Sequence, residues 1–450
     1  LLAFGILSTV VDVRALLACG AVRGPVRTVS RALVVAWATF PAMLDSVRRV
    51  RVARELRAER GAASLLVPVL EQTVERAIAL GASMEVRGFA ATRRAEGRCE
   101  HPAVLRGVSL GYEERWCLEG VDLDLAPGTL TLLSGATGSG KSTLLHAMSG
   151  LVQHVSGGVQ RGTVEVGGVD RLAVPPRETA GFVGVVLQSV RLSFVAGTVA
   201  EEIGFALANR GVAPSIVADR TGEVAERLGI AHLLGREIHA LSAGEACLVA
   251  IAAALVEHPV LLLVDEPLAE LDDAARHRVV GVLDALAHEA GVCVVVAEHA
   301  PADWGDRPDA RLELRDGSLF PWSAAAAAEL PAALPIAPGP TVAEVRSVSV
   351  DHAGRTAVDA VSLTLAAGEI VALRGPNGAG KSSLLHAMAR PAGSVLVDGI
   401  DLSRLKHRAR RSAVALVAEA FDDLLFASTR DEVCRRADRA GGGQGTAALL

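Results

Sequence analysis

Three kinds of apolar pattern divide the chain. Short, nearly unbroken apolar runs occur at Leu130-Thr131-Leu132-Leu133, Val260-Leu261-Leu262-Leu263-Val264 and Val292-Cys293-Val294-Val295-Val296. Runs without a polar face predict strands buried on both sides, as in a parallel sheet covered by helices. The stretch 65–81 differs. It sets Leu66, Leu70, Val74 and Ala77 on one helical face and Glu71, Gln72 and Glu75 on another, which predicts an amphipathic helix. The third pattern lies nearest the N-terminus. Uncharged runs at 1–11 and 32–44 fall short of the roughly 20 residues of a spanning helix, so hydropathy permits a membrane segment without establishing one. Between them, VRRVRVARELRAER (47–60) carries arginine all round a helix and has no face for a core.

The apolar pattern repeats. GKSTLLHAM at 140–148 returns as GKSSLLHAM at 380–388, and the offset of 240 residues holds back to Tyr112 and His352. Internal repetition at this distance implies two copies of one α/β domain. The first copy spans 103–321, and the second begins at 342 and is cut at 450. Residues 322–341, dominated by alanine and proline, read as a semi-rigid linker. The chain starts at Leu1 inside an apolar run and stops soon after a glycine-rich stretch, so it reads as a piece of a longer protein.

Composition sharpens this picture in two ways. Residues 1–98 hold fifteen Arg and eight Asp or Glu, a balance of +7 that leaves −13 for the remainder of a chain whose net charge is −6. A basic, apolar leading part and an acidic body suggest two different surroundings. The six cysteines, at 19, 99, 117, 247, 293 and 434, show no paired spacing, which suits a reducing compartment and argues against a zinc site or a disulfide frame.

The chemistry concentrates around the repeated lysines. GATGSGKS (135–142) and GPNGAGKS (375–382) both fit G-x-x-x-x-G-K-[ST]. Glycine lets the backbone curl so that its N–H groups point into one concavity, which opens a helix whose N-terminus favours phosphate. Lysine, a compact point charge, reaches the β- and γ-phosphates where the planar arginine fork does not fit. The chain has only three lysines, and two of them are Lys141 and Lys381. The predicted ATP-binding residues are Gly135, Gly138, Gly140, Lys141, Ser142 and Thr143 in the first copy. In the second they are Gly375, Asn377, Gly378, Gly380, Lys381, Ser382 and Ser383. Ser142 and Ser382 offer hydroxyls to Mg²⁺. A chance glycine turn could imitate one such loop, but hardly two, each behind an apolar strand. VLLLVDEP (260–267) then places Asp265, suited to the Mg²⁺ shell, and Glu266, suited to activating water, at a strand end. His146 and His386, on the helices behind the phosphates, read as structural.

LSAGEA (241–246) resembles the LSGGQ signature of the ATP-binding cassette ATPases. Other pieces follow in that family's order: Gln188 at the lid-loop glutamine, Ala269-Glu270-Leu271-Asp272 after the acidic pair, His299 at the switch histidine, and Tyr112 where an aromatic stacks on adenine. The resemblance implies α/β P-loop NTPase domains in tandem, with Glu266, His299 and Gln188 in hydrolysis. Asp265, Ser142, Ser382 and Gln188 would serve Mg²⁺, and Ser242 and Gly244 would contact phosphate. Ala243 and Glu245 depart from the signature. It further implies that the two domains face each other, Lys381 working with Ser242 and Gly244. The second copy departs more, with His352 in place of Tyr112 and Glu419 at the lid position, so the two sites are expected to be unequal.

The leading segment decides what the ATPase drives. Glu59-Arg60-Gly61 and Val86-Arg87-Gly88 lie 27 residues apart. Residues 32–90 resemble the C-terminal end of the transmembrane T component of energy-coupling factor transporters, whose basic helices dock into grooves on two ATPases. That resemblance makes residues 1–95 an all-α membrane and coupling-helix segment. It implies an importer of a vitamin or transition metal ion at the cell membrane, its ATPases on the cytoplasmic face, working with a small substrate-binding membrane subunit, the S component. The alternative is a soluble tandem-cassette ATPase acting on ribosomes or nucleic acid. It fits less well, because the linker is short and apolar and the body acidic.

Overall fold

The computed structural model describes residues 63–323 and 339–417, apart from 92, 98, 99, 114, 300, 353, 354, 391–393, 407, 408, 411 and 412, together with scattered positions in 46–51 and 429–438. Glu59-Arg60-Gly61, Glu419 and the uncharged runs near the N-terminus lie outside the described residues. The chain divides into two compact units, one taking Glu75–Ala325 and the other Met43–Val74 with Ala326–Leu450.

The predicted amphipathic helix forms as α1 (Ala63–Val86). Its expected apolar face is not the one that packs: Leu66, Leu70, Val74 and Ala77 are exposed. The contact comes instead from small residues at the C-terminal end. There Ala82 and Val86 form a buried cluster with Leu151 and Leu187.

The first unit has two sheets. β1 (Ala103–Tyr112), β2 (Arg115–Leu125) and β4 (Val159–Val166) form an antiparallel sheet in the order β2-β1-β4, extended by the short pair 169–170. β3 (Leu130–Gly135) belongs to the second sheet, where it is joined by β5 (Val183–Val186), β6 (Leu261–Asp265), β7 (Cys293–Glu298), β8 (Ala310–Arg315) and β9 (Ser318–Pro321). The order is β9-β8-β3-β7-β6-β5, parallel throughout except for the β8–β9 hairpin.

The apolar runs at 260–264 and 292–296 are therefore strands buried on both faces. Alternate side chains feed two cores: Leu262, Val264, Val294 and Val296 enter one, while Leu261, Leu263, Cys293 and Val295 enter the other. Helix α2 (Lys141–Ser149) covers the second core through Leu144, Leu145 and Met148. The fully buried Arg171 donates to Ser149 O and to Thr179 Oγ1, so a cation sits at the C-terminal, electronegative end of α2. Helices α3 (Val199–Asn209), α4 (Ala243–Leu255) and α5 (Asp273–His288) cover the first core.

One ion cluster ties α5 to this sheet. Asp309 accepts the Leu130 N–H at 2.8 Å and pairs with His288 at 3.0 Å, and His288 also meets Asp284 at 3.0 Å. The hydrogen bond to Asp309, with Asp284 beside it, raises the His288 pKa. A raised histidine pKa stabilises the fold fully below the ordinary value of about 6.5 and loses that contribution as pH rises through the raised value. The Tm deficit of H288Q relative to the parent protein is therefore expected to be largest at pH 6 and to shrink by pH 9. Thermal melts across that range check it.

In the second unit, β10 (Thr341–His352), β11 (Arg355–Ala366) and β12 (Ser394–Val397) repeat the antiparallel sheet in the order β11-β10-β12, with the short strand 400–401 beside β12. Helix α6 (Lys381–Ala389) follows the second glycine loop. The run at 370–374 precedes the second glycine loop as β3 precedes the first, yet it belongs to no strand among the described residues. Ile370 is 98% exposed, whereas the matching Leu130 is 0% exposed. The reason is the neighbourhood. β3 acquires its ladder from β7 and β8, and no described segment of the second unit supplies their counterparts.

Candidate functional site

The two glycine loops adopt the same backbone. Gly135, Gly138 and Gly140 have φ of +153°, +80° and +100°, and Gly375, Gly378 and Gly380 have +151°, +81° and +89°. Left-handed φ favours glycine at these positions, and space requires it too. A Cβ on Gly135 would lie 2.6 Å from Leu314 O, and one on Gly380 would lie 2.1 Å from Ala357 O. Each loop delivers its lysine at the first position of a helix whose N-cap is glycine.

Both lysines fold back onto their own loops. Lys141 Nζ donates to Gly135 O at 2.8 Å and Ala136 O at 3.1 Å; Lys381 Nζ donates to Gly375 O at 2.7 Å and Pro376 O at 2.9 Å. Partial burial lowers the Lys141 pKa, while Glu266, Asp265 and Glu298 oppose that shift.

The strand ends gather the remaining groups of the first unit. Glu266 follows β6 with φ +47°, and its carboxylate receives His299 Nε2 at 2.6 Å and Gln188 Nε2 at 2.9 Å. His299 Nδ1 lies 3.4 Å from Lys141 Nζ. Asp265 is 3% exposed, and burial raises its pKa to about 6 although Ser142 hydrogen-bonds it. Its Oδ1 is buried without a hydrogen-bond partner. A hard carboxylate oxygen left open beside a serine hydroxyl suits Mg²⁺, which binds through one or two protein oxygens and completes its shell with phosphates and water. Among the described residues no group of three or more His, Cys, Asp or Glu is placed to hold a metal ion.

The aromatic position is tied to the phosphate loop in each copy. Tyr112 hydrogen-bonds Thr143, and half-burial raises its pKa. His352 Nε2 lies 3.1 Å from Ser383 Oγ, the equivalent hydroxyl. Ser242 and Gly244 stand apart, at the N-terminus of α4. The Ser242 hydroxyl accepts from Glu245 N–H at 3.3 Å while Glu245 accepts from Ser242 N–H at 2.7 Å, a reciprocal cap, and Arg236 pairs with Glu245 at 2.8 Å. A Cβ on Gly244 would come within 2.8 Å of the Ala275 Cβ.

Three partners escaped the sequence reading. Glu202, 0% exposed on α3, pairs with Arg87, and its other oxygen accepts the N–H groups of Val195 and Ala196 at 2.9 and 2.8 Å. Arg177 pairs with Glu85 at 3.0 Å, fastening the end of α1 a second time. Glu298, buried at the end of β7, bonds two backbone N–H groups. Glu201-Glu202 looks like an ordinary acidic first helical turn, and only the fold separates the capping Glu201 from the buried Glu202.

The family model described as "ABC transporter" matches residues 118–269 and 358–441. A protein of Streptomyces avermitilis described as an ABC transporter ATP-binding protein is 36% identical, the match covering 74% of this chain and 73% of that protein. A similarly described protein of Streptomyces coelicolor is 34% identical over 71% of this chain and 70% of its own length. Among solved structures, cbiO1 from Clostridium perfringens, part of the ABC transporter complex cbiONQ, is 23% identical with a TM-score of 0.43, covering 49% of this chain and 87% of that one.

Proposed function

The chain belongs to the ABC transporter family and is an ATPase of that type, and from that premise we propose that it energises an importer of the energy-coupling factor kind. Two cassettes in tandem would close on ATP between them, with Lys381 facing Ser242 and Gly244 across one site. Closure would shift docked helices of a membrane component and reorient a separate small subunit that holds a vitamin or a transition metal ion.

The observation that carries this reading is the seating of Val86-Arg87-Gly88 against the first cassette. Ala82 and Val86 pack on Leu151 and Leu187 while Arg87, 7% exposed, pairs with the fully buried Glu202. Gly88 takes φ +73° with Arg177 O 3.2 Å from where a Cβ would stand, so the Arg-Gly pair needs its glycine. A basic helix end strapped to an ATPase by a desolvated ion pair is what a coupling element requires. Among the described residues no helix is long and apolar enough to cross a membrane.

In the hydrolytic step, Lys141 would leave the Gly135 and Ala136 carbonyls to meet phosphate oxygens. Asp265 and Ser142 would hold Mg²⁺, which when bound neutralises phosphate charge. Glu266, released from Gln188, would take the proton of the attacking water, and His299 would hold Glu266 and the phosphoryl oxygens in line. Purification of the full-length protein from membranes tests the assignment. Mass spectrometry is expected to find a small co-purifying membrane subunit. Recovery in the soluble fraction with ribosomes or nucleic acid would overturn it.

A further inference from the structure

Glu266 holds its place against backbone strain. A left-handed φ of +47° in a non-glycine residue is strained and persists only where surrounding bonds enforce it. Those bonds come from one strand end. The Glu266 N–H donates to Ala297 O at 2.9 Å. Two residues on, the Leu268 N–H donates to Glu298 Oε1 at 3.0 Å. The other oxygen of the same carboxylate accepts the His299 N–H at 3.1 Å. Glu298 is 5% exposed, so little water reaches these bonds.

We propose that Glu298 is the positioning residue of the hydrolytic pair, its single carboxylate fixing the backbone that follows Glu266 and the backbone that presents His299. This rests on the reading of Glu266 and His299 as hydrolytic residues. Only an ionised carboxylate offers an acceptor to both N–H groups; a glutamine amide offers one oxygen and turns two donors toward the second N–H. Burial pushes the Glu298 pKa upward, and the two N–H bonds oppose that push, as expected of a charge kept for the contacts it makes. The geometry also makes the two residues interdependent. The 2.6 Å contact between His299 Nε2 and Glu266 closes a ring whose other side is Glu298.

The test is a mutant cycle in the full chain, following phosphate release and binding of a fluorescent ATP analogue. E298Q is expected to lower kcat at least tenfold with analogue affinity within twofold and Tm within a few degrees, and E298D, which keeps the charge, to recover part of the turnover. In an H299A background E298Q should cost less than it does in the parent protein, because the share of its effect that passes through His299 is already lost. Unchanged kcat in E298Q alongside an impaired H299A overturns this inference alone. Equal losses in both backgrounds, or in kcat and Tm together for both E298Q and E298D, reduce Glu298 to a structural role and overturn it too. Normal hydrolysis in H299A overturns both this inference and the reading beneath it.

Discussion

Replacing Glu266 by glutamine is expected to slow ATP hydrolysis about 10²- to 10⁴-fold, the range that general base catalysis supplies, while leaving ATP binding within about twofold. The two effects separate because different atoms serve them. Lys141, the glycine loop and Tyr112 hold no bond to the Glu266 carboxylate. The carboxylate instead receives His299 and Gln188, one on each oxygen. Glutamine preserves the shape but loses the proton-accepting charge, and one of those two donors then faces an NH₂ group. At about 1.36 kcal/mol per tenfold, the loss corresponds to roughly 3–5 kcal/mol of transition-state stabilisation. Phosphate release and equilibrium binding of a fluorescent ATP analogue measure the two quantities. Turnover near the parent rate would remove Glu266 from the role of base.

Arg87→Ala is expected to release the end of α1 from the first cassette and, on the proposed importer function, to abolish substrate uptake in cells. Removing one member of a buried pair costs about 3–5 kcal/mol, because the remaining charge stays desolvated. Glu202 is 0% exposed and cannot turn to water without opening the loop at Val195 and Ala196. Hydrogen exchange should therefore accelerate in two places at once, at 82–89 and at 195–197. E202Q, which removes the charge but not the volume, should loosen the helix end less. Exchange unchanged at 82–89 in the Arg87→Ala protein would show that Ala82 and Val86 suffice to dock the arm.

The glycine loops, the acidic pair after β6 and the two-faced apolar strands were legible because each depends on neighbours within a few residues. The same φ pattern in GATGSGKS and GPNGAGKS follows from local spacing alone. What the sequence hid is non-local. Glu298 reads as one more charge beside a histidine until β6 and β7 pair and bring Leu268 to it. Glu202 is one of two adjacent acids, and burial alone distinguishes it. The pattern at 65–81 is that of a helix, as found, but it does not say that Leu66, Leu70 and Val74 stay exposed while Ala82 and Val86 make the contact. The run at 370–374 shows the same limit from the other side: strand-like composition becomes a strand only where a partner exists to complete the ladder.

The order of β8-β3-β7 has a consequence for biosynthesis. β3 emerges from the ribosome early, but its two neighbours begin at Cys293 and Ala310, so its pairing spans well over 150 residues of chain. Such long-range pairing is slow, because loop closure must precede any reward. The glycine turn at 135–140 can form from local bonds, as the second copy demonstrates, but its supporting strand is completed only when the nascent chain has passed Arg315. Until then residues 130–133 present an apolar edge without its ladder partners, the kind of transiently exposed surface that favours aggregation.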